Sequence, residues 1–70
     1  MAIETQKFSQ VTHQMLKRTP VTVAGRQAVC GRLGAQMLFV RLGKNRLLNV
    51  TAPCAIAQRF AALAISRLSA

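Results

Sequence analysis

The fold is decided by residues 21–50, VTVAGRQAVCGRLGAQMLFVRLGKNRLLNV, in which apolar and polar side chains alternate between short breaks. Alternation with a period of two is typical of β-strands, and breaks that contain glycine are typical of hairpin turns. The pattern predicts a meander of short antiparallel strands with turns at 25–26, 34–35 and 43–45. The predicted strands are Val21 to Ala24, Gln27 to Leu33, Gln36 to Leu42 and Arg46 to Val50.

The turn lengths predict which side chains share a face of this sheet. A two-residue turn at 34–35 pairs Leu33 with Gln36 and Val29 with Val40. A three-residue turn at 43–45 pairs Val40 with Leu48 and Leu42 with Arg46. Because side chains alternate between faces, both pairings place one apolar set together, and we expect it to form the core face. This set is Val29, Leu33, Leu38, Val40, Leu42, Leu48 and Val50.

The opposite face of the predicted sheet mixes cationic and apolar side chains. It carries Cys30, Arg32, Met37, Phe39, Arg41, Leu47 and Asn49, with Val21 and Val23 from the first strand. A face of this kind is either covered by a helix or reserved for a partner. Phe39 is accordingly either a core residue or the exposed centre of a binding surface.

Amphipathic segments flank the predicted sheet on both sides. Residues 4–18 place Phe8, Val11 and Met15 on one side of a helix, which Thr19-Pro20 would end. Residues 52–68 predict a second helix with Thr51 as its N-cap. We therefore expect one α+β domain over residues 1–70, with an N-terminal helix, an antiparallel sheet of three to four short strands and a C-terminal helix.

Charge is the strongest pointer to function. Ten Lys or Arg residues accompany a single acid, Glu4, which gives a net charge of +9 in 70 residues. Internal ion pairs are therefore scarce, and the cations are free to meet an anionic partner such as nucleic acid or an acidic protein surface. One carboxylate also excludes the acidic dyads of glycosidases and aspartic proteases and the oxygen cages that bind calcium or magnesium.

Catalytic and metal-binding patterns are absent from the sequence. The single histidine, His13, lies on the predicted wet side of the first helix, and Cys30 and Cys54 lack the close ligand spacing of a structural zinc site. We expect a non-enzymatic protein without cofactor, metal or small-molecule substrate. The two cysteines are interpreted as small buried side chains in a reducing cytoplasm. The longest uncharged run, residues 47–58, is about half a membrane span, so no membrane partner is expected.

The candidate binding residues follow from where the cations fall on this pattern. Some lie at hairpin turns, two stand beside Phe39 on the mixed face, and two end the first helix. Arginine planes bind phosphates in a bidentate manner and stack on bases. The predicted binding set is Arg26, Arg32, Phe39, Arg41, Lys44, Arg46, Lys17 and Arg18.

Two functions fit this composition. The first is a basic regulator that acts in transcription by binding nucleic acid. The alternative is a protein-binding module that docks on an acidic partner, such as bacterial RNA polymerase, through the mixed face. A homodimer through the same face is a further expectation for the assembly.

The size, the charge and the excess of Arg over Lys also resemble those of small bacteriophage proteins that bind the host bacterial RNA polymerase. This resemblance implies a regulator that docks on a polymerase subunit and alters initiation or termination. No motif carries it, so it assigns no role to any residue.

Overall fold

The computed structural model describes residues 1–68 as an α+β fold, with an antiparallel five-stranded sheet that has one helix on each face. The strand order is β1-β5-β4-β3-β2. The predicted class, the meander and the C-terminal helix are confirmed, whereas the sheet has one strand more than expected. The elements are β1 Ala2–Glu4, α1 Phe8–His13, β2 Leu16–Val23, β3 Arg26–Leu33, β4 Ala35–Gly43, β5 Arg46–Thr51 and α2 Cys54–Leu68.

The predicted N-terminal helix is shorter than the amphipathic pattern indicates. Residues 2–4 instead form β1, which pairs with β5, and α1 contains only six residues. Lys17 adopts a φ of 53°, outside the helical region, and residues 16–23 pair with β3. Pairing with β3 gives the backbone of Leu16 and of residues 19–23 partners that a frayed helix end would leave unsatisfied. Pro20 is tolerated there because β2 is an edge strand.

Two hairpin turns differ by one residue from the predicted positions. Ala24 and Gly25 form the β2–β3 turn, and both have positive φ, as a tight type I′ hairpin requires. The next turn bends at Gly34 alone, with φ 77°, so that Leu33 pairs with Ala35 rather than with Gln36. A shift of one residue moves every side chain of a strand to the other face.

This shift reverses the predicted faces of β2 and β3. Val21, Val23 and Cys30 pack with α2, whereas Val29 packs with α1, opposite to the expectation. Leu33 is exposed rather than part of the core. The predicted pairing of Val40 with Leu48 is confirmed, but Gly43 rather than Leu42 pairs with Arg46 because the β4–β5 register is irregular after Arg41.

The sheet therefore has an apolar layer on each face. On one face the small residues Ala57 and Ala61 of α2 are fully buried and let the helix approach the sheet closely. On the other face α1 covers the sheet, with its buried Thr12 hydroxyl donating a hydrogen bond to the Phe8 carbonyl oxygen over 2.9 Å. The α1 cluster consists of Phe8, Val11, Met15, Phe39 and Leu47.

Cys30 and Cys54 form a disulfide with a Cα–Cα separation of 5.7 Å, which ties β3 to the first residue of α2. The expectation of two separate reduced cysteines is corrected, since the one-residue shift turns Cys30 toward α2. Thr51 does not cap α2, because it is the last residue of β5. Pro53 stands before the helix instead, and its carbonyl oxygen accepts a hydrogen bond of 2.8 Å from the Ala57 amide.

Gly31 marks the closest approach of β3 to the N-terminal segment. A Cβ at Gly31 would lie 2.9 Å from both the Leu16 carbonyl oxygen and the Met15 Cε atom. We expect Gly31→Ala to lower the free energy of unfolding by about 1–3 kcal/mol, since the backbone oxygen cannot yield without disturbing β2. Urea denaturation measures this effect. Gly43→Ala is the matched control, because a Cβ there meets nothing within 4 Å; equal stability of the two variants would contradict the described packing.

Candidate nucleic-acid interface

Five cations gather at one end of the sheet. The antiparallel meander brings the β2–β3 turn and the β4–β5 turn to the same end, where β3 begins, β4 ends and β5 begins. We call this surface the basic end. It consists of Lys7, Arg26, Arg41, Lys44 and Arg46.

Three of these cations surround one shallow depression beside α1. Lys7, Arg41 and Lys44 line a concavity of about 240 Å³ together with Ser9 and Gln27. All three cationic side chains are exposed. A concave surface bordered by cations and polar groups suits the oxygens of a phosphate, because charge-assisted hydrogen bonds are stronger than neutral ones.

Arg26 and Arg46 extend the basic end on the α2 side of the sheet. The Arg26 guanidinium donates a hydrogen bond from Nη1 to the Leu42 carbonyl oxygen over 3.2 Å, and its side chain is half-buried. This contact holds the arginine against β4 and uses one of the five guanidinium donors. Arg46 is exposed and pairs with Gly43 at the start of β5. The basic end therefore presents cations on both sides of the turns.

The remaining predicted cations lie elsewhere. Lys17 and Arg32 line a separate depression of about 390 Å³ near the start of α2, which also includes Thr19, Gln36 and the disulfide. Arg18 donates a hydrogen bond to the Thr12 carbonyl oxygen over 3.5 Å, at the end of α1. Arg32 does not stand beside Phe39 as predicted, because the shift of β3 places Arg32 on the α2 face. The structure thus divides the predicted cations into two surfaces and one separate arginine.

Phe39 is a core residue and is not available to a ligand. Its side chain is 2% exposed and packs with Phe8, Met15 and Leu47 under α1. The prediction of Phe39 as a binding residue is therefore corrected, whereas a protein partner or a homodimer stays a prediction that an exposed Phe39 no longer supports. The face is occupied by a helix of the same chain, one of the two alternatives that its composition left open.

The only side-chain carboxylate of the chain is already engaged. Glu4 accepts a hydrogen bond from the Asn49 side-chain amide, and the two residues lie on β1 and β5. Glu4 pairs with Leu47 near the basic end, so one negative charge stands there against five cations, and a net positive charge remains available to an external anion. Lys7 was not among the predicted site residues. In the sequence Lys7 is a single cation directly before Phe8, and this pattern does not distinguish an ordinary helix residue from a member of a cation cluster.

The described residues contain neither a cluster of metal-binding side chains nor a membrane-spanning helix. Within residues 1–68, no three His, Cys, Asp or Glu side chains lie close enough together to hold a metal ion. Neither α1 nor α2 combines the length and the hydropathy needed to cross a bilayer.

Comparison with known proteins adds no relative. No protein-family profile, no curated protein and no solved structure matches this chain. The likeness to phage proteins that bind RNA polymerase consequently rests on size and charge alone.

Proposed function

We propose that this chain is a non-enzymatic nucleic-acid-binding protein that contacts the phosphate backbone through the basic end. The observation that carries the proposal is the convergence of five cations at one end of the sheet, three of them around a single depression. The chain offers only one carboxylate to neutralise them. A regulatory role in transcription extends this proposal, since it would follow from binding to DNA or to a transcript.

The aromatic residues favour a double-stranded ligand. Phe8 and Phe39 are 7% and 2% exposed, so neither ring can stack on a base, and Phe60 lies on α2 outside the basic end. Proteins that bind single-stranded nucleic acid commonly stack its bases on aromatic side chains, which the basic end lacks. Contacts to phosphates do not depend on the base sequence. We infer a duplex bound through its backbone with weak sequence preference. If about five phosphates are contacted, affinity falls roughly 500-fold between about 50 and 200 mM salt.

The double variant Lys44→Ala/Arg46→Ala tests the basic end. Losing two phosphate contacts should weaken binding roughly 100-fold at about 50 mM salt and make the salt slope less negative by about 1.8. Fluorescence anisotropy with a labelled duplex of about 20 base pairs measures both quantities. Both side chains are exposed at the β4–β5 hairpin, so the fold should be retained.

The matched control is Arg59→Ala/Arg67→Ala, which removes the same charge from the exposed side of α2. We expect it to lower affinity less than tenfold, through the general field of the protein only. Equal losses in the two double variants would assign binding to net charge and contradict a site at the basic end. Absence of binding by the wild-type chain at low salt would overturn the proposed function as a whole.

A further inference from the structure

A second surface of the molecule lies between the edge strand β1 and the helix α2. It is a groove of about 520 Å³, with Met1 and Ile3 on the strand side and Phe60, Leu63 and Arg67 on the helix side. Phe60 and Leu63 are 50% and 59% exposed, far more than apolar residues that complete a core. Nothing in the proposed contact with nucleic acid uses these residues.

The two edges of the sheet are unequally protected against pairing with another chain. The β2 edge contains Pro20, which has no N–H, the cations Lys17 and Arg18, and a register irregularity between Leu16 and Thr19. Proline, cations and bulges are the devices by which proteins prevent edge-to-edge association. β1, with the sequence Ala-Ile-Glu, has no proline, no cation and a regular register, and only its length of three residues and Glu4 protect it. The open edge is therefore the one that borders the apolar groove.

The charge of the groove indicates what kind of chain fits it. Arg67 lines the groove and Arg59 is exposed on the same helix, and these two are the only charged residues of α2. The only side-chain carboxylate that a second copy of this chain could offer is Glu4, which is bonded to Asn49. Two copies would also bring together two net charges of +9. The complementary occupant is a different chain that carries a carboxylate.

We propose that this groove binds an extended acidic segment of a partner protein, which adds a strand to the edge of β1 that no other strand of residues 1–68 pairs with. Alternate side chains of an added strand point to the same face. The partner would therefore place apolar side chains against Phe60 and Leu63 and a carboxylate against Arg67. The proposed binding of nucleic acid at the basic end is separate from this interaction, and neither depends on the other.

Synthetic peptides of about seven residues provide the probe, with valine or leucine alternating with threonine and one glutamate in the apolar register. We expect the full-length chain to bind this peptide, with amide NMR shifts centred on residues 2–4 and 60–68. A peptide with glutamine in place of glutamate should bind about 3-fold more weakly, since a partly exposed ion pair contributes little. Arg67→Gln should abolish the difference between the two peptides.

Two exposed residues of α2 give a matched pair of variants. Leu63→Ser should weaken the peptide at least tenfold because it removes an apolar anchor of the groove. Ile56→Ser should leave binding unchanged, since Ile56 is 47% exposed on the same helix but does not line the groove. Both changes lie at exposed positions, and a thermal melt verifies that each variant is folded.

Four results would overturn the proposal. The first is no peptide binding up to about 1 mM, and the second is an equal loss of peptide affinity in the Leu63 and Ile56 variants. The third is unchanged affinity of a peptide with N-methylated backbone amides, and the fourth is self-association of the protein that blocks the groove. The N-methylated peptide is informative because strand addition requires its N–H groups. None of these measurements contains nucleic acid, so their failure leaves the basic end to be judged on its own.

Discussion

Replacing Phe39 by alanine is expected to lower the free energy of unfolding by about 3–5 kcal/mol. The ring is 2% exposed and forms the centre of the layer between α1 and the sheet. Its removal leaves a cavity beneath a helix of six residues that packs mainly on β4, the strand of Phe39. Chains of this length have little stability to spare, so the variant should be largely unfolded near body temperature. Urea denaturation followed by far-ultraviolet circular dichroism measures the loss.

Phe60→Ala is the control for this prediction. It removes the same ring from a half-exposed position on α2 and should lower the free energy of unfolding by less than about 1.5 kcal/mol. If Phe39→Ala were as stable as Phe60→Ala, α1 would not cover the mixed face. Phe39 would then return to the surface as a candidate binding residue.

Removing the disulfide is the second change with a large expected effect. Cys30 and Cys54 are 24 residues apart in the sequence. Closing a loop of that length lowers the conformational entropy of the unfolded chain and so raises the free energy of unfolding by about 3 kcal/mol. We expect Cys30→Ala/Cys54→Ala to lose about this much stability, and a reductant to cause a similar loss in the wild-type chain. Denaturation curves with and without reductant measure the effect.

The double variant supplies its own control, since a reductant should not change its unfolding transition. Two free thiols in a non-reduced peptide digest, or a wild-type transition that ignores the reductant, would contradict the bond. Disulfides persist mainly in oxidising compartments. The bond therefore disfavours the cytoplasmic location that is expected from the sequence. That location stays a prediction.

The sequence predicts the strands well because the alternation of apolar and polar residues identifies a strand even when its pairing is wrong by one residue. The bounds of β3, β4 and β5 each lie within one residue of the predicted ones. The faces are less predictable, since they depend on which single residue adopts a positive φ. Gly34 does so alone at the β3–β4 turn, where the sequence predicts a two-residue turn, and the resulting shift moves Cys30 to the face of the sheet on which it bonds to Cys54.

The basic end was largely predictable, whereas the groove was not. Arg26, Lys44 and Arg46 flank turns, and an error of one residue does not remove them from that end of the sheet. Whether Phe39 is buried depends on where α1 ends. The apolar residues up to Met15 are compatible with a short helix as well as with a long one, so the sequence does not predict this end. β1 contains three residues, too few for any periodic signal, so the open edge beside α2 becomes visible only in the fold.

A two-dimensional amide NMR titration with an unlabelled DNA duplex of about 20 base pairs at about 50 mM salt tests the basic end most directly. We expect shifts at Lys7, Arg26, Arg41, Lys44 and Arg46 that vanish as salt is raised, with the groove residues Leu63 and Arg67 unaffected. Shifts confined to α2 and β1, or no shifts at low salt, would contradict a nucleic-acid site at this end of the sheet.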